Sequence, residues 1–190
     1  MIDHFAILGQ PRRPWLEADA LKDAFHRRSA ALHPDVPGTG NAAQFAALNA
    51  AYAALREPAS RVRHLLELID PAALNTAAAP PIELSDLFMQ LAGLRRRLDD
   101  LLVKRNPASS ALARALLAGD ESAQRREFDT MRGRLETAEA AALAEVRAID
   151  SRWSDRTAED ARSLASLYHR LSYLARWLAQ TREALFALSA

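Results

Sequence analysis

The chain is patterned for helices along nearly its whole length. Apolar residues recur three or four positions apart, and runs of β-branched residues with period two are missing. In the first part of the chain this spacing predicts helices at residues 3–9, 17–32, 41–56 and 59–69. Gly9 stops the first helix, Asn41 is a suitable N-cap for the third, and Pro58 ends the third. These signals predict two longer helices connected by a loop and flanked by two shorter ones.

Three longer helices are predicted in the remainder of the chain, at residues 83–105, 120–152 and 157–188. Asn106-Pro107 interrupts the chain after the first of them, and the pattern over 108–118 predicts a short additional helix that ends at Gly119. Thr157 with Asp160 matches a capping box at the start of the last helix. Because the three apolar stripes have similar lengths and short connections, they predict an antiparallel three-helix bundle.

A segment rich in proline and small residues separates the two groups of helices. It reads DPAALNTAAAPPI, and this composition is typical of a linker. We therefore expect an all-α protein with a first domain at residues 1–70, a linker at 71–82 and a helical bundle at 83–190.

Composition excludes several kinds of chemistry. The chain has 190 residues, a net charge of +1 and no cysteine, so disulfides, thiol catalysis and cysteine-ligated metals are excluded. The near-zero charge does not favour nucleic acid or an anionic membrane as partner. The N-terminus lacks the basic and apolar regions of a signal peptide, and no stretch reaches the length of a membrane span. We expect a cytoplasmic protein.

An enzyme would need a nucleophile–base pair, clustered carboxylates or a metal set. The five histidines show no ligand spacing with carboxylates, and there is no glycine-rich phosphate loop. No helix has a dense basic face with interleaved aromatic residues, which argues against nucleic-acid binding. We expect a protein without catalytic residues, metal or cofactor.

One tripeptide stands out from this background. His33-Pro34-Asp35 lies in a Gly/Pro-rich loop between the two longer helices of the first domain. Pro34 fixes φ and stiffens the loop, and the carboxylate of Asp35 can accept a charge-assisted hydrogen bond from an arginine of a partner. The ring of His33 can form a further hydrogen bond with a partner. Alternatively, His33 only stabilises the end of the preceding helix.

The arrangement resembles a J-domain, a helical hairpin whose loop carries His-Pro-Asp. The resemblance implies that the loop and the basic face of the preceding helix, with Lys22, Arg27 and Arg28, dock on the ATPase domain of a DnaK-type chaperone. Alternatively, Arg27 and Arg28 have no role in docking and only form a solvated face of the helix. Val36 departs from the family, which usually has Lys there, and this departure implies weaker docking on the chaperone without its loss.

The segments DHFAILGQP, HPDVPG and LNAAYAALREPASRVRHLLEL are similar to the bacterial iron–sulfur co-chaperone family (HscB). In that family a J-domain is joined to a C-terminal three-helix bundle. The resemblance implies that the J-domain stimulates a DnaK/HscA-type chaperone and that the bundle delivers an iron–sulfur scaffold protein (IscU-like). It is specific over residues 3–69, whereas the bundle matches mainly in pattern, and residues 106–119 look like an insertion.

The stretch LSDLFMQLAGLRRRLDDL is similar to the scaffold-binding helix of that family. Position by position, this resemblance assigns client binding to Phe88, Met89, Ala92, Asp100 and Tyr173, and Trp177 lies one turn beyond. Met89 lies about 200° from the leucine stripe at Leu91, and Tyr173 is similarly far from Leu171. We therefore expect Met89, Tyr173 and Trp177 to be exposed on the outer face of the bundle.

Two positions depart from the family pattern on this surface. Gly93 and Arg96 stand where the family has acidic residues, which suggests a scaffold of different charge or another client. Three alternatives remain open for the apolar residues. They could be buried against the first domain, bind a client other than a scaffold protein, or join two copies of a helical tail into a weak homodimer.

Overall fold

The computed structural model describes residues 2–32, 42–75, 81–105 and 110–189. His33-Pro34-Asp35, the predicted cap Asn41 and the predicted break at Asn106-Pro107 lie outside these ranges. Within them the chain forms helices and turns without a strand.

The α-helices are α1 His4–Leu8, α2 Ala18–Leu32, α3 Ala42–Arg56, α4 Pro58–Ile69, α5 Ser85–Arg105, α6 Ala111–Asp150 and α7 Ala158–Ala187. Short 3₁₀ turns lie at Pro71–Asn75, Ile82–Leu84 and Trp153–Asp155.

The chain divides into two compact units. The first unit comprises residues 1–78 and 142–171, and the second comprises residues 79–141 and 172–190. Helices α6 and α7 therefore contribute residues to both units. The linker at 71–82 and the domain limits at 70 and 83 stay predictions.

In the first unit, helix α1 is capped at both ends. The Asp3 carboxylate accepts from the backbone N–H groups of Phe5 and Ala6, at 2.9 and 3.2 Å. At the other end Gly9 adopts φ 63°, in the left-handed region, and its N–H donates to the carbonyl of Ala6 at 3.1 Å. The predicted stop at Gly9 is thus confirmed, with its geometric reason.

A helical hairpin of α2 and α3 forms the centre of the first unit. The ring of Phe25 stacks on that of Tyr52, with the two centroids 4.4 Å apart. Leu48 and Leu55 are fully buried on α3, together with Phe5 of α1 and Leu65 of α4. Burying each such side chain contributes about 1.5–3 kcal/mol to stability, so this core fixes the hairpin against α1 and α4.

The second unit is a three-helix bundle. Its core contains apolar side chains from the described parts of α5, α6 and α7: Leu91, Leu94, Leu98, Leu101, Phe128, Met131, Leu135, Leu174, Trp177, Leu178, Ala184 and Leu188. All of these are at most 9% exposed. The α5 stripe and the adjoining parts of the α6 and α7 stripes thus form this core, whereas the other parts of the latter two stripes, with Val146 and Leu164, belong to the core of the first unit.

The predicted short helix ending at Gly119 is wrong, because α6 continues through this glycine from Ala111 to Asp150. Glycine inside a helix costs only about 1 kcal/mol relative to alanine, which is too little to break a helix held by packing. Leu117, two residues before the glycine, packs against the core of the second unit. This contact favours continuing the helix across Gly119.

The predicted capping box at the start of α7 is confirmed. The N–H of Thr157 donates to the Asp160 carboxylate at 2.8 Å, and the N–H of Asp160 donates to the Thr157 hydroxyl at 3.2 Å. Arg152 also donates to Asp160, at 2.7 Å. The backbone N–H of Thr157 and then Arg152 lower the pKa of Asp160. The cap therefore stays charged at neutral pH.

Candidate functional site

The His33-Pro34-Asp35 segment belongs to the connection between α2 and α3. Helix α2 ends at Leu32, immediately before the motif, and α3 begins at Ala42. The motif itself lies outside the described residues, so its role in docking stays a prediction. Its two flanking helices are packed against each other through Phe25 and Tyr52.

The three basic residues predicted on α2 do not share one face. Lys22 and Arg27 are exposed, and neither forms a hydrogen bond or ion pair within the described ranges. At 100° per residue they lie about 100° and about 240° from the buried Leu21. Both side chains therefore remain accessible to a partner, although on different flanks of the helix.

Arg28 has a different environment from Lys22 and Arg27. Seven residues after Leu21, it lies within about 20° of that buried side chain and so faces α1. One of its terminal nitrogens donates to the carbonyl of Ile7 at 2.7 Å, at the C-terminal end of α1. A Cβ at Gly9 would clash with another Arg28 nitrogen. Arg28 thus links α2 to α1.

The segment that leads into α2 is held by a buried acid. The carboxylate of Asp150 accepts from Arg13 Nε at 2.9 Å and from the Trp15 N–H at 3.1 Å. This contact with Asp150 raises the pKa of Arg13. Opposite, the Trp153 indole N–H donates to the carbonyl of Arg12 at 2.8 Å. These bonds position the start of α2, and no periodic signal in PRRPW predicts them.

Arg61 is a second support for the same segment, from α4. It is only 3% exposed, and it donates to the carbonyls of Pro14 and Leu55, each at 2.9 Å. Burial lowers the pKa of Arg61 to about 10, while Asp150 acts in the opposite direction. The guanidinium therefore remains charged at neutral pH. No pattern in the sequence signals this role of Arg61, because a buried arginine has no periodicity of its own.

The predicted client residues on α5 are largely accessible. Met89 is 64% exposed and Phe88 is 44% exposed. Asp100 is exposed, and Ala92 is half-buried. The expected exposure of Met89 is thus confirmed, whereas its role in binding stays a prediction.

Trp177 is buried, and its predicted exposure is wrong. Only 4% of the residue is exposed. The expected exposure rested on the angle around the helix between Tyr173 and Leu171. The buried residues of α7, however, do not stay on one line along the helix but shift around it. Measured from the buried Leu174, Trp177 lies only about 60° away and Tyr173 about 100° away. Trp177 therefore belongs to the core, and Tyr173 is half-buried at its edge.

Trp177 still contacts the two neighbouring predicted residues. Its ring centroid lies 5.9 Å from that of Phe88 and 5.7 Å from that of Tyr173. Tilted ring pairs at such distances contribute about 0.5–1.5 kcal/mol each beyond area burial. The structure therefore brings Phe88, Tyr173 and Trp177 into one aromatic cluster. Trp177 packs against the other two rings from the side of the core.

The described residues contain no group of three or more His, Cys, Asp or Glu side chains that could hold a metal ion. Among the described helices, none combines the length and the apolar character needed to cross a membrane.

Comparison with known proteins identifies similar chains. A co-chaperone protein HscB homolog of Bordetella pertussis is 36% identical over 124 residues, which are 60% of this chain and 69% of the relative. The corresponding homolog of Bordetella avium is 37% identical over 135 residues, 66% of this chain and 73% of the relative. No protein-family profile matches the chain.

A solved structure is similar over nearly the full length. The chaperone HscB from Vibrio cholerae matches with a TM-score of 0.62 and 18% identity, covering 98% of this chain and 99% of the other. At this identity the match concerns the fold alone. It supports a J-domain followed by a helical bundle.

Proposed function

The chain belongs to the family of HscB co-chaperones, and from this premise we propose its specific activity. It stimulates the ATPase of a DnaK/HscA-type chaperone and delivers an IscU-like iron–sulfur scaffold protein to it during cluster assembly. The observation that carries the proposal is the placement of His33-Pro34-Asp35 between the packed helices α2 and α3.

The chemistry of the motif suits docking on another protein. Asp35 offers a carboxylate to an arginine of the chaperone, and Pro34 limits the entropy that the loop loses on binding. Lys22 and Arg27 extend the contact, because two exposed cations attract an acidic surface and raise the association rate.

The contacts around α2 support a pre-organised docking element. Arg28 ties α2 to the end of α1, and Asp150 holds the segment that precedes α2. A rigid α2 keeps Lys22 and Arg27 in fixed positions before the chaperone arrives. Pre-organisation of this kind raises affinity by reducing the ordering cost of binding.

The surface proposed for the client is formed by Phe88, Met89 and Tyr173, with Ala92 and Asp100 beside them on α5. The flexible side chain of Met89 can adapt to an irregular apolar surface. The rings of Phe88 and Tyr173, which pack on Trp177, are suitable anchor residues for a protein interface. Trp177 supports Phe88 and Tyr173 and makes no direct contact with the client in this proposal.

The experiment is ATP hydrolysis by a DnaK/HscA-type chaperone, measured alone, with the chain, and with the chain plus the scaffold protein. We expect the chain to raise the rate and the scaffold to raise it further. No effect of the chain would contradict the chaperone assignment, and no added effect of the scaffold would contradict the client assignment.

A matched pair of variants locates the client surface. Met89→Ala with Tyr173→Ala should remove the added effect of the scaffold while the chain alone still stimulates the chaperone. Val103→Ala is the control, because Val103 also lies on α5 and is 72% exposed. Equal scaffold effects in both variants would contradict the proposed surface.

A dimerising tail is the second candidate function for the bundle. Leu112, Leu116 and Phe186 are 71%, 73% and 76% exposed, and exposed apolar side chains favour association. Sedimentation velocity decides between the two, with Leu112→Ser plus Leu116→Ser as the test variant. A dimer that this variant dissociates would favour the tail, and a monomer at all concentrations would exclude it.

A further inference from the structure

An open groove runs between α5 and α6 within the second unit, with a volume of about 600 Å³. Leu94 and Met131 line it and belong to the bundle core, at 4% and 3% exposure. Met89 lies beside them and is 64% exposed. The groove thus offers an apolar base with an adaptable side chain at its margin.

The depth of this groove depends on a glycine. Gly93 lies in the middle of α5, where alanine would favour the helix more strongly. A Cβ at this position would meet only a terminal nitrogen of Arg97, at 3.9 Å. Nothing in the packing therefore requires glycine here, and its effect is to leave space in the groove.

Positive charge is in excess around the groove. Three arginines line it, Arg97, Arg126 and Arg134, against the single carboxylate of Glu127. Arg97 pairs with Glu127, whereas Arg134 donates to the neutral amide oxygen of Gln90 and to no other group among the described residues. The guanidinium of Arg126 has no hydrogen-bond or ion-pair partner in the described part of the chain. Two of the three cations are therefore available to an acidic ligand.

We propose that this groove binds an acidic, amphipathic segment of the client protein. Carboxylates of that segment pair with Arg126 and Arg134, and an apolar side chain enters above Gly93 against Leu94 and Met131. The identity of the occupant as the client depends on the proposed function. A protein segment fits better than a phosphate backbone, because the apolar base formed by Leu94 and Met131 can accept an apolar side chain and offers nothing to a phosphate.

The test uses the full chain and two short helical peptides, one of leucine and glutamate and one of leucine and lysine. Calorimetric titration should show binding of the glutamate peptide and none of the lysine peptide. Arg126→Glu with Arg134→Glu should weaken the binding on the order of tenfold. Gly93→Leu should weaken it as well, because the new side chain fills the groove.

Gly119→Leu is the matched control for Gly93→Leu. Gly119 is also a helical glycine, and a Cβ there would meet nothing within 4 Å. Both changes favour the helix, so neither variant should lose its fold. Only Gly93→Leu should impair binding of the glutamate peptide. Equal binding by the two glycine variants would overturn the proposal.

Two further outcomes would also overturn it. Equal affinity for both peptides would show that charge does not select the ligand. Groove-dependent binding of a single-stranded oligonucleotide would make this a nucleic-acid site. Failure of the groove is distinguishable from failure of the proposed function: if Gly93→Leu responds to the scaffold as the wild type does, the groove is not the client site, while the co-chaperone activity stands.

Discussion

Arg13 binds Asp150 through two parallel hydrogen bonds, from Nε to Oδ1 at 2.9 Å and from a terminal nitrogen to Oδ2 at 2.6 Å. The two residues are 137 positions apart in the chain. The same carboxylate accepts from the N–H of Trp15. Asp150 is 9% exposed and the Arg13 side chain is 43% exposed, so these bonds are partly shielded from water. One acidic side chain at the end of α6 thereby fixes the segment that enters α2.

Asp150→Asn should lower the free energy of unfolding by about 1–3 kcal/mol, because the amide cannot accept all three hydrogen bonds and loses the charge opposite Arg13. Urea denaturation measures the change. Asp155→Asn is the control, since Asp155 is exposed, and it should stay within about 0.5 kcal/mol of the wild type. Equal stability of the two variants would contradict this role of Asp150.

Stability should decrease as the pH falls below about 6.5, on account of His64. The Nε2 atom of His64 accepts a hydrogen bond from the backbone N–H of His4 at 3.1 Å, which requires that the His64 ring is neutral. Burial and the neighbouring His4 lower the pKa of His64 below 6.5, and Glu67 and Asp3 only partly oppose this shift. Between the pKa of His64 in the folded protein and 6.5, the unfolded chain binds more protons than the folded chain. The contribution of His64 to stability is therefore fully present above pH 6.5 and is lost as the pH falls through the folded pKa.

Urea denaturation of the wild type and His64→Gln at a series of pH values tests this expectation. The variant should lose part of the dependence on pH, because glutamine can accept from His4 but does not titrate. His26→Gln should keep the dependence, since His26 is exposed on α2. An unchanged pH profile in His64→Gln would rule out His64 as the source.

Neighbouring arginines on α2 should have separable effects. Arg28→Ala should lower stability by about 1 kcal/mol, because it removes the hydrogen bond to the end of α1. Arg27→Ala should leave stability unchanged and reduce stimulation of the chaperone ATPase, since Arg27 is exposed and has no partner in the described ranges. Denaturation and ATP hydrolysis, measured on both variants, check the separation. Loss of stability in Arg27→Ala would argue against it.

Trp177→Ala should destabilise the bundle by about 3–5 kcal/mol, because it removes a large buried side chain from the core. Met89→Ala should change stability by less than about 0.5 kcal/mol, since Met89 is mostly exposed. Thermal and urea denaturation compare the two. If Trp177→Ala were as stable as the wild type, Trp177 would not be a core residue.

Local signals in the sequence were sufficient for most helix limits. Gly9 and the Thr157–Asp160 capping box mark helix ends through bonds within a few residues, so the sequence contains all that is needed. The helix end predicted at Gly119 was wrong, because the low helix propensity of glycine is outweighed by the packing of α6 against the other helices. Whether a single glycine ends a helix depends on contacts that lie far away in the chain.

The candidate surfaces were predicted less completely than the helices. Met89 lies opposite a straight leucine stripe, so a helical wheel locates it correctly. Trp177 lies on a helix whose buried stripe drifts, and one reference leucine gave the wrong face. The pair Arg13–Asp150 joins positions far apart in the chain, and no periodicity encodes such a contact. Arg28 was grouped with Arg27 because adjacency in sequence does not reveal which side of a helix is packed.

His33-Pro34-Asp35 is proposed to activate a chaperone ATPase, and single-turnover ATP hydrolysis with the wild type and His33→Gln measures this activation. Circular dichroism first establishes that the two proteins have the same helix content and melting temperature. We expect the wild type to accelerate hydrolysis and His33→Gln, equally folded, to lack this effect. Equal acceleration by both proteins would show that the His33-Pro34-Asp35 loop does not activate the chaperone.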